Sequence, residues 1–95
     1  MTRYTVVWDV DVETALTSAW ITGDPTMRST LTAIANWVDA YLSQDADDKG
    51  ESLPEFSARV VTVPLSIAPA RVEATFQVFP DDRLVRVTRL VFRGE

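Results

Sequence analysis

The stretch Arg71–Arg93, RVEATFQVFPDDRLVRVTRLVFR, decides the fold. Apolar residues recur at every second position on both sides of Pro80-Asp81-Asp82, which is the period of a half-buried strand. Before the turn, Val72, Ala74, Phe76 and Val78 face one way, and Arg71, Glu73, Thr75, Gln77 and Phe79 face the other. Proline presets the backbone of a turn and aspartate bonds its own neighbours there, so the PDD triplet is turn chemistry. After it, unbroken alternation groups Val85, Val87 and Val91 with Arg83, Arg89 and Arg93. Leu84, Arg86, Thr88, Leu90 and Phe92 fall on the other face. The whole stretch predicts an antiparallel hairpin with several arginines on its strands.

Working back from the hairpin, Ala68-Pro69 marks a break, and Phe56 to Ile67 predicts another strand. Pro64 within it cannot donate to a ladder, so an edge or a bulge is expected there. Gln44 to Glu55, QDADDKGESLPE, is polar and charged and predicts a solvated connecting loop. The spacing of Asp45, Asp47, Asp48 and Gly50 does not match a calcium-binding loop.

Before the loop, Met27, Leu31, Ile34, Val38, Tyr41 and Leu42 form an apolar stripe at helical spacing, widened by Ala35 and Trp37. Asp24-Pro25 opens it as a helix cap and first helical residue, so a helix from Pro25 to Ser43 is predicted. Val12, Ala15, Leu16, Ala19 and Trp20 predict an earlier helix, capped by Asp11 and ending near Thr22-Gly23. Tyr4 to Val10, YTVVWDV, predicts the first strand, with Tyr4, Val6, Trp8 and Val10 on its core face. The order β-α-α-β-β-β separates helices from a mainly antiparallel sheet, which is the α+β class. The short link between the helices makes them an antiparallel pair on one sheet face. One domain spanning 1–95 accounts for the chain.

Composition narrows the chemistry. There is no cysteine and no histidine, which excludes disulfides, thiol nucleophiles and the usual neutral-pH base. No cofactor or metal is expected. The net charge of −5 speaks against non-specific nucleic-acid binding, but the charge is uneven. Residues 1–55 hold ten acids and three bases; residues 56–95 hold four acids and six arginines. No signal peptide or membrane-spanning stretch is visible, so a cytoplasmic protein is expected.

The chain resembles the RelE/ParE superfamily of bacterial toxins and plasmid-stabilisation proteins. The resemblance runs through Tyr4-x-Val6-x-Trp8, the helix reaching Trp20, and Ile34…Val38-Asp39…Leu42 of the second helix. It continues through the loop with Gly50 and Leu53, Pro64-Leu65, Phe76-Gln77-Val78-Phe79 and Asp81-Asp82-Arg83-x-Val85-x-Val87. It implies a curved antiparallel sheet with two helices on one face. It also implies the toxin component of a type II toxin–antitoxin system with a small antitoxin as partner. The target would be ribosome-bound messenger RNA, cleaved by an endoribonuclease, or DNA gyrase.

The ribonuclease branch works with cations that hold phosphates and stabilise the charge building on the scissile one. Carried over by position, Arg93 matches a basic residue at the end of the last strand. Arg71 lies about two residues from the family's hairpin arginine, and Arg59 lies on the preceding strand. These three are the candidate catalytic residues. The family's lysine-rich loop has only Lys49 here, among five acids, and no tyrosine follows the last strand. A non-enzymatic protein-binding module of the same fold therefore stands as the alternative. Arg83 and Arg86 are expected to pair with carboxylates or cover apolar surface. Trp8, Trp20 and Trp37 are expected to pack in the core, and Asp39 to be a solvated helix acid.

Overall fold

The computed structural model describes residues 2–53, 57–68 and 71–93. The elements are β1 (Thr5–Trp8), α1 (Val10–Thr22), α2 (Pro25–Leu42), β2 (Glu51–Leu53), β3 (Ala58–Thr62), β4 (Arg71–Phe79) and β5 (Leu84–Arg93). Single 3₁₀ turns span Ala46–Asp48 and Pro80–Asp82. The strands form one sheet in the order β1-β5-β4-β3-β2. β1 runs parallel to β5, and every other neighbouring pair is antiparallel. The α+β class and the two-helix hairpin are as the sequence predicts.

α2 forms where capping and apolar period agree. Its N-cap Asp24 accepts a 2.8 Å hydrogen bond from the Met27 N–H, and Pro25 takes the first helical position. Leu31, Ile34, Val38 and Leu42 are buried along one stripe. Each such side chain stabilises the fold by about 1.5–3 kcal/mol relative to exposure. Ile34, Val38 and Leu42 meet Val72, Ala74 and Phe76 of β4 and Val85 and Val87 of β5 in the core, with Tyr4, Val63 and Ala68 around them.

α1 departs from expectation. It begins at Val10 rather than Val12, because β1 already ends at Trp8. Asp9, not Asp11, occupies the N-cap position, and its side chain makes no cap bond. Val10, expected on the core face of the strand, is instead 71% exposed on the helix. Only Val12 of the α1 stripe is buried. Trp20 is 44% exposed rather than in the core, and its ring lies 4.6 Å from the Arg28 guanidinium carbon. Trp8 and Trp37 pack against the core as expected. Arg28 also donates to the carbonyls of Trp20 (2.9 Å) and Ile21 (3.1 Å). A cation thus satisfies orphan carbonyls at the C-terminus of α1. Gly23 is extended there, and an added Cβ would stand 2.7 Å from the Met27 side chain. Close approach of the two helices, not a left-handed cap, is what needs glycine.

Three further corrections concern the sheet. β2 lies inside the stretch expected to be a loop, paired with β3 from Glu51↔Val60 to Leu53↔Ala58. Gly50 turns the chain into it at φ 74, and a Cβ there would come within 2.5 Å of the Val60 carbonyl oxygen. The β4–β5 ladder shifts register between Thr75 and Phe76: Phe76 pairs with Val87, whereas Thr75 pairs with Arg89. Thr88 is the extra residue of a β-bulge, so the alternation of β5 reverses beyond it. Leu90 and Phe92, not Val91, continue the helix-side face of Val85 and Val87, opposite Ala74 and Val72. The strand predicted from Phe56 to Ile67 is also shorter. β3 spans Ala58–Thr62, and after Val63 the chain turns at Pro64, whose carbonyl accepts from Ile67 and Ala68. Phe56 and Pro69, named in that expectation, lie outside the described residues.

Candidate functional site: the arginine-bearing sheet

Directly paired residues of neighbouring strands project to the same face. Arg59 pairs with Phe76, which is fully buried on the helix side. Arg59 is therefore directed to the covered face. Its Nε donates to the Lys49 carbonyl at 2.6 Å and its Nη2 to the Gly50 carbonyl at 3.2 Å. The guanidinium closes the loop before β2 onto the sheet.

Arg71 and Arg93 pair with each other across the β4–β5 ladder, on the open face. The Arg71 Nη2 lies 3.0 Å from the Glu73 Oε2, a neighbour on the same face of the same strand. The Arg93 side chain lies outside the described residues; its backbone position is what the ladder fixes. Of the three candidate residues, the sheet thus brings Arg71 and Arg93 together and turns Arg59 away from them.

The other cations fall into two groups. Lys49, the lone base of the acidic loop, donates to the Tyr41 carbonyl at 2.6 Å and sits 4.2 Å from the Tyr41 ring centroid. Tyr41 in turn stacks on Trp37 with centroids 4.5 Å apart. That loop lysine caps α2 rather than projecting outward. Arg86 is committed to Asp9: its Nη2 and Nε approach Asp9 Oδ1 at 2.5 and 2.7 Å. This ion pair ties β5 to the junction of β1 and α1, as expected for a structural arginine. The sequence gives no sign of this partner, because only the parallel β1–β5 pairing brings residues 77 positions apart into contact.

Arg89 is the residue that sequence reasoning undervalued. It pairs with Thr75 on the open face, four rungs from Arg71–Arg93, and among the described residues it has no ion-pair partner. The bulge at Thr88 puts it there. Around it the surface is mixed. On the helix side a groove of about 270 Å³ runs between α1 and β5, lined by Asp11, Leu16, Ala19, Leu90 and Phe92 among others. Phe92 is 50% exposed beside it.

At the opposite end of the sheet Tyr4 is buried. Burial, helped by a hydrogen bond with Asp47 and by that carboxylate's charge, raises the Tyr4 phenol above its ordinary 10.0. A tyrosine held in its neutral form is a poor proton acceptor at neutral pH.

The architecture is RelE-like: a two-helix hairpin packed on one face of a mostly antiparallel five-stranded sheet. The crystal structure of the toxin–antitoxin complex RelBE2 from Mycobacterium tuberculosis contains a chain of the same fold. It matches with a TM-score of 0.68 over 100% of this chain and 97% of that one, at 15% sequence identity. Likeness at that identity is likeness of fold. No protein-family model and no curated protein matches the sequence. No helix among the described residues is long and apolar enough to cross a membrane.

Proposed function

We propose that this protein acts by holding a protein partner, as a non-enzymatic or degenerate toxin-like member of a toxin–antitoxin pair. The observation that carries this reading is the position of Arg59. A centre that cleaves RNA with arginines needs several of them aimed at one phosphate, in a preorganised arrangement. Arg59 and Lys49 are spent on backbone carbonyls of the loop and of α2, away from the Arg71–Arg93 rung. The net charge of −5 also opposes a long stay on ribosomal RNA. The RelBE2 likeness supports the fold on which such a pairing is built, with a small antitoxin as the natural class of partner.

Affinity capture from the native cell at physiological salt tests this. The reading expects a small protein retained in stoichiometric amount and no RNA. Salt-sensitive retention of RNA with no protein would overturn it.

A second reading keeps the ribonuclease activity and draws on Arg71, Arg93 and Arg89 alone. One observation favours it: all three positions lie on the open face, Arg71 and Arg93 on one rung and Arg89 four rungs along. Their cations would hold the phosphates of a messenger RNA, with no general base drawn from Arg59 or Lys49. Induced expression followed by mapping of messenger RNA ends separates the two readings. Cleavage abolished by Arg93→Ala would select the second.

A further inference from the structure

β1 covers only the first part of the outer edge of β5. The two strands pair from Thr5↔Leu84 to Trp8↔Val87, and the last bond runs from the Asp9 N–H to the Val87 carbonyl. The chain then leaves as α1. Among the described residues no backbone hydrogen bond reaches that edge of β5 beyond Val87.

The direction of the backbone groups along this half-edge follows from the ladder. The Val72 carbonyl is taken by the Val63 N–H on the β3 side. Val72 is therefore in a non-hydrogen-bonded pair with Phe92, and the same phase makes Ala74 and Leu90 such a pair. In such pairs the N–H and C=O of each residue point away from the partner strand. Those of Leu90 and Phe92 consequently point outward, toward the groove beside α1. An open row of backbone donors and acceptors is a template for another strand.

The two faces of this half-edge differ: apolar side chains dominate the helix side, where Asp11 and Arg89 also line the groove, and cationic positions mark the open side. Leu90 and Phe92 look to the helix side, where the groove of about 270 Å³ is lined by Leu16 and Ala19 of α1. The open-face positions Arg89 and Arg93 carry cations, with Arg71 behind them on β4. Glu73 is engaged with Arg71 at 3.0 Å, and Arg89 has no ion-pair partner among the described residues. Charge complementarity therefore asks for carboxylates on the open face of whatever lies next to β5. Asp11, the acid that lines the groove, is on α1 near the point where β1 ends.

We propose that the edge of β5 from Thr88 to Arg93 is a strand-addition site for a partner segment in which apolar and acidic residues alternate. The apolar residues enter the groove beside Leu90 and Phe92, and the acidic ones meet Arg89 and Arg71. Main-chain bonds supply the affinity and the alternation supplies the specificity. This deepens the protein-binding reading and rests on it.

The test is amide NMR of the whole chain titrated with a short synthetic peptide that alternates valine and glutamate. Saturable shifts and slowed hydrogen exchange are expected at the Leu90 and Phe92 amides. A peptide with lysine in place of glutamate should bind about tenfold more weakly. Arg89→Glu, a surface change, should weaken the acidic peptide and improve the basic one. Phe92→Pro removes an outward N–H and should abolish the slowed exchange. Absence of saturable shifts, equal affinity for both peptides, or shifts at β2 instead would overturn the proposal. Shifts at Leu90 and Phe92 on concentrating the protein alone would assign the edge to a second copy and overturn the acidic occupant. Captured partner with no response at this edge would sink the site and leave the protein-binding reading standing. RNA cleavage in the mapping experiment would sink the reading itself.

Discussion

Arg59 is the register partner of Phe76, and that pairing puts its guanidinium on the helix-covered side of the sheet. From there it reaches the carbonyls of Lys49 and Gly50 and none of the open-face arginines. The role this defines is to fasten the loop that leads into β2.

Arg59→Ala is expected to destabilise the fold. Two charge-assisted bonds to carbonyls are lost, at a cost of roughly 1–3 kcal/mol. For a domain of this size each kcal/mol lowers the melting temperature by about 4–8 °C. Arg59→Lys should recover part of the loss. Thermal unfolding of the three proteins checks this; unchanged melting of the alanine variant would argue that the guanidinium is available for another task.

The Asp9–Arg86 pair joins the two ends of the chain, yet its side chains are 28% and 50% exposed. Exposed pairs contribute little, so a double-mutant cycle of Asp9→Asn and Arg86→Gln should give a coupling of about 0.2–1 kcal/mol. Salt should reduce it further. A coupling above that range, insensitive to salt, would mean that water is excluded from the pair on association.

Tyr4 sets an alkaline limit. Its phenol is raised above 10.0 in the folded chain by burial and by Asp47. The folded state then holds the proton more tightly than the unfolded one. The corresponding stability is fully present below pH 10 and is lost as pH rises through the folded value. Denaturant unfolding from pH 8 upward should show stability falling in this range, and Tyr4→Phe should flatten the fall. An equal fall in the variant would place the titration elsewhere.

What the sequence makes legible follows the strength of local signals. α2 is predicted from Pro25 to Ser43 and observed from Pro25 to Leu42, because capping, proline and apolar period coincide there. β4 is predicted and observed from Arg71 to Phe79, since its alternation is uninterrupted. β2 is not legible: three residues in an acidic stretch carry no period, and only Val60, Arg59 and Ala58 across the ladder make them a strand. The bulge at Thr88 is equally silent, with neither glycine nor proline to mark it, and it turns Leu90 and Phe92 to the groove. The placement of the candidate residues was legible only in part for a related reason. Strand parity places Arg59 on a face, but which face is covered depends on where α2 packs.

A RelE-like fold that holds a partner without cleaving RNA should leave a ribosome-bound message intact. Purified protein added to ribosomes stalled on a defined messenger RNA, with the RNA ends read by primer extension, tests it most directly. Intact message is expected at all protein concentrations, for wild type and Arg93→Ala alike. Wild-type cleavage within the ribosome-covered segment, lost in Arg93→Ala, would contradict it.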